Sequence, residues 1–484
     1  MKKIYFVVLI ALSFVACKKD RFTGIKTGPG NPIDTGHNPS DTSYLNVVTL
    51  AVDQTHPGNT ISPNFEGLSF ETLVLAKNPE YLNPGNTVFV NLIKNLGPGL
   101  LRIGGGTSDK ITWTSTARTS STPPNNLTTT DIDQLSAFSK LIGWPVLFGL
   151  NLGTNQVAAS ANEAAYVYNS LGSNLSGFQF GNEPNYFVAN GLRQGNYAAN
   201  NFLDDWDIYY ANVKAAAPQA FFAGPDVVQG SNWVNSFADV EHNKVNLIDA
   251  HYYLEGPATS TYINYHDLLN TDFGLPIFLQ GLKSASSKYG LPYRVTECNN
   301  IWGGGKPGTS DVFASALWGL DFMWTVAENN GQGINFHDGE GIFYSPLTMS
   351  AGVAVVHPEY YAMLAFSYAG SGGTIIPIKM GNTGFSVSAF ACVKADKSYS
   401  ITLINKEENT NIAFDIQLSS SASSIQVARL KAPSATSSDK VTFAGTAVNA
   451  DGTFTPVAIT PQTINQKDFK INVPGGSAAV VTIR

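Results

Sequence analysis

Basic residues are scarce in this chain of 484 residues, which has 29 Lys and Arg against 36 Asp and Glu. The formal net charge is −7, and charged residues make up only 13% of the sequence. A protein that binds nucleic acid or another polyanion concentrates Lys and Arg on one face, and the sequence has no such basic stripe. We therefore expect no nucleic-acid partner.

Cysteine is rarer still, with three residues, Cys17, Cys298 and Cys392. The spacing of the last two does not indicate a disulfide bond. No cluster of His, Cys and Asp has metal-ligand spacing, and no glycine-rich phosphate loop opens a helix. We therefore expect neither a metal ion nor a cofactor, and the triple glycines 104–106 and 303–305 need another explanation.

Long apolar runs are also missing. The apolar stretch Ile4–Val15 follows Lys2-Lys3 and is too short to span a bilayer. Together with Ala16-Cys17 it resembles a bacterial lipoprotein signal peptide, in which Cys17 carries the lipid. We expect a signal peptide over residues 1–16 and a flexible tether over residues 17–45. The protein would then be an exported lipoprotein of the bacterial periplasm or cell surface, touching the membrane only through its lipid anchor.

Two acidic side chains stand where short apolar runs end. Glu183 follows Gly177–Phe180 within Gly181-Asn182-Glu183-Pro184, and Glu297 follows Leu291–Val295. Desolvating a carboxylate at the end of a buried strand is costly, so such positions usually serve a purpose. A pair of them suits cleavage of a glycosidic bond, in which one carboxyl group protonates the leaving oxygen and the other attacks or stabilises the sugar carbon. The alternative is two structural glutamates in salt bridges.

Strand and helix patterns alternate between residues 61 and 371. Helical patterns such as Asp131–Leu141, Asn162–Leu171, Ile277–Lys288 and Asp311–Asn329 separate the apolar runs. Eight such units predict a (β/α)8 TIM barrel, and the alternative is an open, doubly wound sheet. The predicted strands are Gly67–Glu71, Leu100–Ile103, Pro145–Asn151, Gly177–Gly181, Phe221–Gly224, Val245–Tyr253, Pro292–Thr296 and Gly333–Phe336.

The pattern changes from residue 372 to residue 484, where the apolar residues alternate with period two and no long helix is predicted. This alternation predicts a β-sandwich domain. We expect residues 46–60, which include the alternating segment Val47–Val52, to join it as an extra strand. The predicted strands are Gly384–Val393, Ser398–Asn405, Thr410–Gln417, Ile425–Lys431 and Ala478–Ile483.

Five motifs together resemble glycoside hydrolase family 79, the family of heparanases and β-glucuronidases. The resemblance spans about residues 45 to 370 and, less specifically, the strands after them. It implies an α/β fold with a TIM barrel and a carbohydrate substrate. The motifs are Leu101-Arg102-Ile103-Gly104-Gly105, Phe148-Gly149-Leu150-Asn151, Gly181-Asn182-Glu183-Pro184-Asn185, His251-Tyr252-Tyr253-Leu254, and Glu297 followed by Trp302-Gly303-Gly304-Gly305.

The resemblance also implies roles for single residues. Glu183 would be the general acid/base and Glu297 the nucleophile of a retaining mechanism. Asn182 would form a hydrogen bond with the sugar 2-hydroxyl. His251 and Tyr253 share a strand face by alternation. We expect Tyr253 to bind Glu297 or the sugar carboxylate and His251 to orient its neighbours.

Further residues are expected to bind the substrate. Tyr344, after the eighth strand, matches a tyrosine that contacts the sugar carboxylate in the family. Glu71 matches an acidic position that holds distal hydroxyls, and its alternative is a structural carboxylate near Arg102. The backbone N–H groups of Gly303, Gly304 and Gly305 can form an anion-binding concavity, because glycine reaches positive φ without strain. Trp302 stands where the family often has tyrosine.

These expectations describe a retaining exo-β-glucuronidase that removes terminal β-linked glucuronic acid, with or without a 4-O-methyl group, from glycans or glycosides. A heparanase-like endo-enzyme that acts on sulfated chains should line its cleft with basic residues. Here Lys306 is the only basic residue in the glycine loop, which favours exo action. Another retaining β-glycosidase and a non-catalytic glycan-binding lipoprotein are the remaining alternatives.

Overall fold

The computed structural model describes residues 46–350 and 352–484. The predicted signal peptide, tether and Cys17 lie outside the described residues. The chain folds into a parallel barrel followed by a β domain, so the predicted fold class is confirmed. Within the described residues, no helix is both long and apolar enough to cross a membrane.

Eight parallel strands form the barrel, and each pairs with the strands that precede and follow it in the chain. The fourth and fifth strands meet through the bridge between Phe178 and Phe222, and the eighth pairs with the first. This closed ring excludes the open, doubly wound sheet. In order, the strands are Gly67–Glu71, Leu100–Gly104, Val146–Leu150, Leu175–Phe180, Ala223–Val228, Leu247–Glu255, Tyr293–Ile301 and Ile334–Asp338.

The helices between the strands follow local sequence signals. Thr129–Ile142 begins at a capping box formed by Thr128 and Asp131, and it ends at Gly143 with φ +76°. Phe313–Glu328 is almost entirely buried, because it packs between the barrel and Pro358–Gly370. The helices of the described chain are Thr72–Lys77, Thr87–Asn95, Thr129–Ile142, Val157–Leu171, Ala199–Ala216, Ser231–Glu241, Tyr265–Leu269, Gly274–Tyr289, Phe313–Glu328 and Pro358–Gly370, with short 3₁₀ turns at Gly172–Asn174 and Pro184–Tyr186.

The fifth barrel strand differs most from its prediction. Gly224-Pro225 has the composition of a strand end, yet the strand runs from Ala223 to Val228. Its register with the sixth strand shifts between Pro225 and Val227, so Asp226 has no partner there. Asp226 also has φ +58°, and this irregularity turns its side chain into the barrel.

The β domain is built around one long strand, Ile412–Lys431. Its first half pairs with Val47–Val52 and its second half with Ser477–Ile483, so it joins the two parts of one hydrogen-bonded sheet. The sequence predicted two separate strands here, because the serines at 419–421 have the composition of a turn. The strands of this domain are Val47–Val52, Thr374–Ile376, Ile378–Met380, Val387–Val393, Tyr399–Asn405, Ile412–Lys431, Thr442–Phe443, Gln462–Val473 and Ser477–Ile483.

Two short strand pairs, the first parallel and the second antiparallel, complete the described structure. Thr112–Thr114 pairs with Asn126–Thr128, and Leu347–Ser350 pairs with Val353–Val356. Both lie outside the barrel sheet, in loops that follow barrel strands.

The two domains share apolar surface. Along Ser477–Ile483, Val481 packs into the core of the β domain, while Val480 packs into the core of the barrel. The ring of Trp324, from a barrel helix, stacks on Phe390 of the β domain with centroids 5.7 Å apart. The β domain therefore supports the barrel wall around its seventh and eighth strands.

Candidate active site

The two predicted catalytic glutamates face each other at the carboxyl end of the barrel. Glu183 follows the fourth strand, in the left-handed region at φ +52°, and Glu297 lies within the seventh strand. One oxygen of each and a ring nitrogen of His251 lie within 4.8 Å of one another. This spacing resembles the separation of about 5–5.5 Å between the two carboxyl groups of retaining glycosidases.

Glu297 is buried in an environment that stabilises its negative charge. Its Oε2 atom accepts a hydrogen bond from Nη1 of Arg102 at 2.5 Å, and its Oε1 atom accepts one from the Tyr253 hydroxyl at 2.8 Å. Burial opposes ionisation, but the charges of His337, His251 and Arg102 outweigh it and hold the pKa of Glu297 well below its ordinary value. Glu297 is therefore an anion at neutral pH, as a nucleophile requires.

Arg102 holds this arrangement together from beneath the glutamates. Its Nη1 atom also donates to Ser69, its Nη2 atom donates to Asn182 and Asp226, and its Nε atom donates to Gln179. All five guanidinium hydrogens therefore have acceptors, although the side chain is fully buried. The residue joins four barrel strands and the segment that carries Glu183.

Glu183 is linked to the same network through His251. The Nδ1 atom of His251 lies 3.0 Å from Oε1 of Glu183, and its Nε2 atom lies 2.8 Å from Oδ1 of Asp226. About a fifth of the Glu183 side chain is solvent-exposed, with a relative exposure of 21%. Glu183 is therefore open to the cavity on one side and hydrogen-bonded on the other.

The backbone around Glu183 is fixed by two further acceptors. Oδ2 of Asp109 accepts the N–H of Asn182 at 2.7 Å, and the carbonyl of Asp226 accepts the N–H of Glu183 at 2.8 Å. Oδ1 of Asp109 also accepts the N–H groups of Leu152 and Gly153. Burial raises the pKa of Asp109 to about 7, against the effect of these three hydrogen bonds. The amide oxygen of Asn182 faces Arg102, which leaves its NH₂ group for the cavity.

A cavity of about 580 Å³ lies above the two glutamates. Among the described residues, no Lys or Arg side chain lines it. The predicted site residues that line it are Glu71, Asn182, Glu183, Tyr253, Glu297, Trp302, Gly303, Gly304 and Tyr344. His251 does not line the cavity but contacts Glu183 from below.

Gly305 differs from the prediction. Its N–H group donates to the carbonyl of Ile301 at 3.1 Å, so it is not available to a ligand. A glycine is needed at this position for packing, because a Cβ there would lie 2.6 Å from the backbone nitrogen of Tyr344. The N–H groups of Gly303 and Gly304 donate to no other residue within 46–350 and 352–484. Of the three N–H groups predicted to bind an anion, those of Gly303 and Gly304 therefore remain available and that of Gly305 does not.

The tyrosines beside these glycines form the polar wall of the cavity. The hydroxyl groups of Tyr253 and Tyr344 lie 3.5 Å apart, and Tyr344 is almost fully buried. The amide of Asn299 donates to the carbonyl of Tyr344 at 3.1 Å and fixes its loop. Trp302 is 48% exposed at the rim, and its ring lies against Gly256, where a Cβ would come within 2.2 Å of the indole. One indole face is therefore open to a sugar ring.

Glu71 is held by the first triple-glycine segment rather than by Arg102. Its carboxylate accepts hydrogen bonds from the N–H groups of Gly106 and Thr107, at 3.2 and 2.8 Å, and from the Thr107 hydroxyl. A Cβ on Gly105 would lie 2.5 Å from this carboxylate. Glycine is therefore required for the close approach, and Glu71 keeps a fixed place at the cavity wall.

Sequence reasoning missed the residues beneath the cavity, above all Arg102 as a contact of Glu297, together with Asp226 and Asp109. A charged residue inside the apolar strand Leu100–Gly104 was a signal that pointed to Arg102. Asp226 was hidden because its strand was predicted to end at Gly224. Asp109 lies in a loop and had no sequence signal.

Glu183, His251 and Glu297 are also the one group of His, Cys, Asp or Glu side chains in the described part of the chain that is close enough to share a cation. Both ring nitrogens of His251 already face carboxylate oxygens, and Glu297 faces Arg102. A cation would have to displace these contacts. The arrangement therefore suits proton transfer between side chain and substrate better than metal binding.

A closed (β/α)8 barrel with two opposed carboxyl groups at its carboxyl end defines the class of the protein, which is a glycoside hydrolase. A model of the glycosyl hydrolase family 79 C-terminal beta domain matches residues 389–480. A beta-glucuronidase of Aspergillus niger is 23% identical over 415 residues, which are 72% of this chain and 75% of that protein. Heparanase-like protein 3 of Arabidopsis thaliana is 22% identical over 376 residues, which are 71% of this chain and 68% of that protein.

Solved structures share the fold. A 4-O-alpha-L-rhamnosyl-beta-D-glucuronidase from Fusarium oxysporum superimposes with a TM-score of 0.72 and 20% identity, covering 90% of this chain and 100% of that chain. A GH51 arabinofuranosidase from Xanthomonas axonopodis superimposes with a TM-score of 0.68 and 15% identity, with 90% and 100% coverage. The family model and these relatives together support an assignment to glycoside hydrolase family 79.

Proposed function

We propose that the protein is a retaining exo-β-glucuronidase. The observation that carries the proposal is the pair Glu183 and Glu297, which face one cavity with the close spacing of a double-displacement mechanism. The beta-glucuronidases of Aspergillus niger and Neurospora crassa, each 23% identical to this chain, support the choice of sugar.

The two glutamates divide the reaction between them. In the first step an oxygen of Glu297 attacks the anomeric carbon while Glu183 gives its proton to the glycosidic oxygen, which leaves with the electron pair of the broken bond. In the second step Glu183 takes a proton from water, whose oxygen attacks the same carbon and releases Glu297. Because both attacks invert the anomeric centre, the β-configuration is retained.

The sugar carboxylate requires hydrogen-bond donors that the cavity supplies without a basic side chain. The free N–H groups of Gly303 and Gly304 and the hydroxyl groups of Tyr253 and Tyr344 lie along one wall. Hydrogen bonds to a charged group contribute about 1.5–3 kcal/mol each, so several of them give a preference on the order of 10² or more over a neutral hydroxymethyl group.

Exo action is favoured over heparanase-like endo action because no Lys or Arg among the described residues lines the cavity to bind sulfate groups. Lys306, the one basic residue of the glycine loop, donates its ammonium hydrogens to the carbonyls of Ser260 and Ile263, at 2.7 and 2.5 Å. The ammonium group of Lys306 therefore fixes the loop through these two carbonyls. Sulfated chains would therefore gain no attraction from Lys or Arg of the described residues in this cavity.

A panel of p-nitrophenyl β-glycosides tests this function. The purified enzyme should hydrolyse the glucuronide on the order of 10² times faster than the glucoside, galactoside or xyloside. Comparable glucoside turnover would leave only a retaining β-glycosidase. If the protein hydrolyses none of these glycosides but binds glycans, a non-catalytic glycan-binding lipoprotein would be favoured. Cleavage of heparan sulfate inside the chain would favour the endo-enzyme.

We also propose that the enzyme is an exported lipoprotein anchored through Cys17, on the strength of the sequence Ala16-Cys17 after an apolar run. The wild-type protein should then sediment with membranes, and Cys17→Ser should release it or block its processing. A wild-type protein that is freely soluble and cleaved at another position would contradict the anchor. A glucuronidase assay on both fractions separates this proposal from the proposed activity.

A further inference from the structure

Asp226 contacts both halves of the catalytic arrangement although it does not line the cavity. Its Oδ1 atom lies 2.8 Å from Nε2 of His251, which contacts Glu183. Its Oδ2 atom accepts a hydrogen bond from Arg102 at 2.6 Å, and Arg102 also contacts Glu297. Its backbone carbonyl accepts the N–H of Glu183. One buried carboxylate is thus linked to Glu183 through His251 and to Glu297 through Arg102.

The surroundings of Asp226 fix its protonation state. Its Oδ2 atom faces Arg102, and its Oδ1 atom is contacted by His251, by the amide of Gln179 and by the hydroxyl of Thr296 at 3.3 Å. These groups donate hydrogen bonds to it. Burial opposes ionisation, but the charges of Arg102 and His251 outweigh it and lower the pKa of Asp226 below its ordinary value. Asp226 is therefore a carboxylate, which can only accept hydrogen bonds.

A carboxylate beside Nε2 requires a hydrogen on that nitrogen, which determines what Nδ1 can do. We propose that Asp226 is a positioning residue, which fixes the Nε2–H form of His251 so that Nδ1 and Oε1 of Glu183 share the single proton used in the acid step. The inference rests on the proposed function, in which Glu183 is the acid. With the hydrogen on Nδ1 alone, His251 would instead donate to Glu183 and favour its carboxylate.

The proton balance of this pair follows the reaction. Nδ1 and Oε1, which lie 3.0 Å apart, hold one proton before the first step. The proton leaves with the glycosidic oxygen, and the second step recovers one from water. The titratable and charged groups facing His251 are Glu183, Asp226, Asp249, Glu297 and Arg102. Burial opposes its protonation, but Asp226 and Glu297 outweigh burial and raise the pKa of His251 to about 10.

Asp226→Asn tests the inference. It removes one negative charge and places an NH₂ group where the surrounding side chains also donate hydrogen bonds. The shared proton should be held less tightly, so the alkaline limb of the kcat/KM profile should move to lower pH by about one unit or more. Turnover of glucuronides with poor leaving groups should fall at least about tenfold more than that of activated aryl glucuronides. Equal losses on both substrates with an unmoved limb would overturn the inference, because that result indicates a structural role alone.

Two further variants distinguish an effect of Asp226 that acts through His251 from a nonspecific loss of structure. If Asp226 acts through His251, Asp226→Asn combined with His251→Gln should lose no more acid catalysis than His251→Gln alone. Asp249→Asn removes a neighbouring buried carboxyl that bonds Gln179 and the N–H of Asp226 but contacts neither His251 nor Arg102. It should move the alkaline limb less than Asp226→Asn does. Additive losses, or equal shifts for the two aspartates, would contradict the proposal.

A measurement on the wild-type enzyme keeps the test valid if Asp226→Asn does not fold. NMR of protein with ¹⁵N-labelled histidine, assigned by comparison with His251→Gln, should show that Nε2 of His251 carries its hydrogen at every pH up to the alkaline limb. A bare Nε2 at neutral pH would overturn the inference. A wild-type enzyme without activity on glucuronides would overturn the proposed function instead, whatever the state of this nitrogen.

Discussion

At the scale of single residues, the site distinguishes two chemically identical side chains by their neighbours. Glu297 is buried beside Arg102 and the Tyr253 hydroxyl, which stabilise an anion. Within the part of the chain that the structure describes, the carboxylate of Glu183 has one hydrogen-bond partner, His251, and its other side lies open to the cavity. The first arrangement suits a nucleophile and the second suits a group that gives and takes a proton.

Glu183→Ala should therefore affect substrates according to their leaving groups. Aglycones that need protonation should lose about 10²–10⁴-fold in kcat/KM, whereas activated dinitrophenyl glucuronides should lose much less. Azide should restore turnover of the activated substrates by attacking the glycosyl-enzyme, and the product should be a β-glucuronosyl azide. Equal losses for all leaving groups would mean that Glu183 is not the acid.

Tyr344→Phe removes one hydroxyl group from the wall that we assign to the sugar carboxylate. One charge-assisted hydrogen bond is worth about 1.5–3 kcal/mol, so the preference for β-glucuronide over β-glucoside should narrow at least about tenfold. The ratio of kcat/KM for the two p-nitrophenyl substrates measures this directly. An unchanged ratio would remove Tyr344 from carboxylate recognition.

At the scale of elements, regular segments could be predicted and irregular ones could not. Short apolar runs located the seventh strand, which carries Glu297, and the fourth strand, which Glu183 follows, because apolar runs and breakers are local signals. Asp226 was not predicted as a site residue, because its strand continues through Gly224-Pro225 with a shift in register. The register also shifts around Thr296, so Thr296 and Glu297 both face the network despite being adjacent. Such bulges depend on tertiary contacts.

The glycine loop offers a prediction at this same scale. Gly304 has φ +91° and nothing within 4 Å of the position of a Cβ, so Gly304→Val fits sterically but strains the backbone and narrows the cavity. Glucuronide turnover should fall at least about tenfold without loss of the barrel fold. Gly308→Val is the matched control, since Gly308 has φ +70° in equally open space outside the cavity. Equal losses in the two variants would attribute the effect to strain alone.

At the scale of the whole molecule, buried acids should make stability depend on pH. Burial raises the pKa of Asp109 to about 7, that of Glu163 to about 8 and, with the charge of Asp226, that of Asp249 to about 7. Their ordinary values are near 4, so between about pH 4 and pH 8 the folded state binds more protons than the unfolded state.

Because the folded state binds the extra protons, unfolding becomes more favourable as pH rises, by up to about 1.4 kcal/mol per pH unit for each group. His251, with its pKa raised to about 10, extends the effect to alkaline pH. The thermal unfolding midpoint should therefore decrease as the pH is raised from 5 to 9. Differential scanning calorimetry would measure this decrease. A midpoint that rises over this range would show that these acids are ionised in the folded protein.

The central claim is that Glu183 and Glu297 perform a double displacement on a β-glucuronide. The most direct test is proton NMR of the first product formed from an aryl β-glucuronide, recorded faster than mutarotation. The account predicts that the β-anomer of glucuronic acid appears first and the α-anomer grows in later. Initial release of the α-anomer would contradict it, because a single inversion has no need of a glycosyl-enzyme on Glu297.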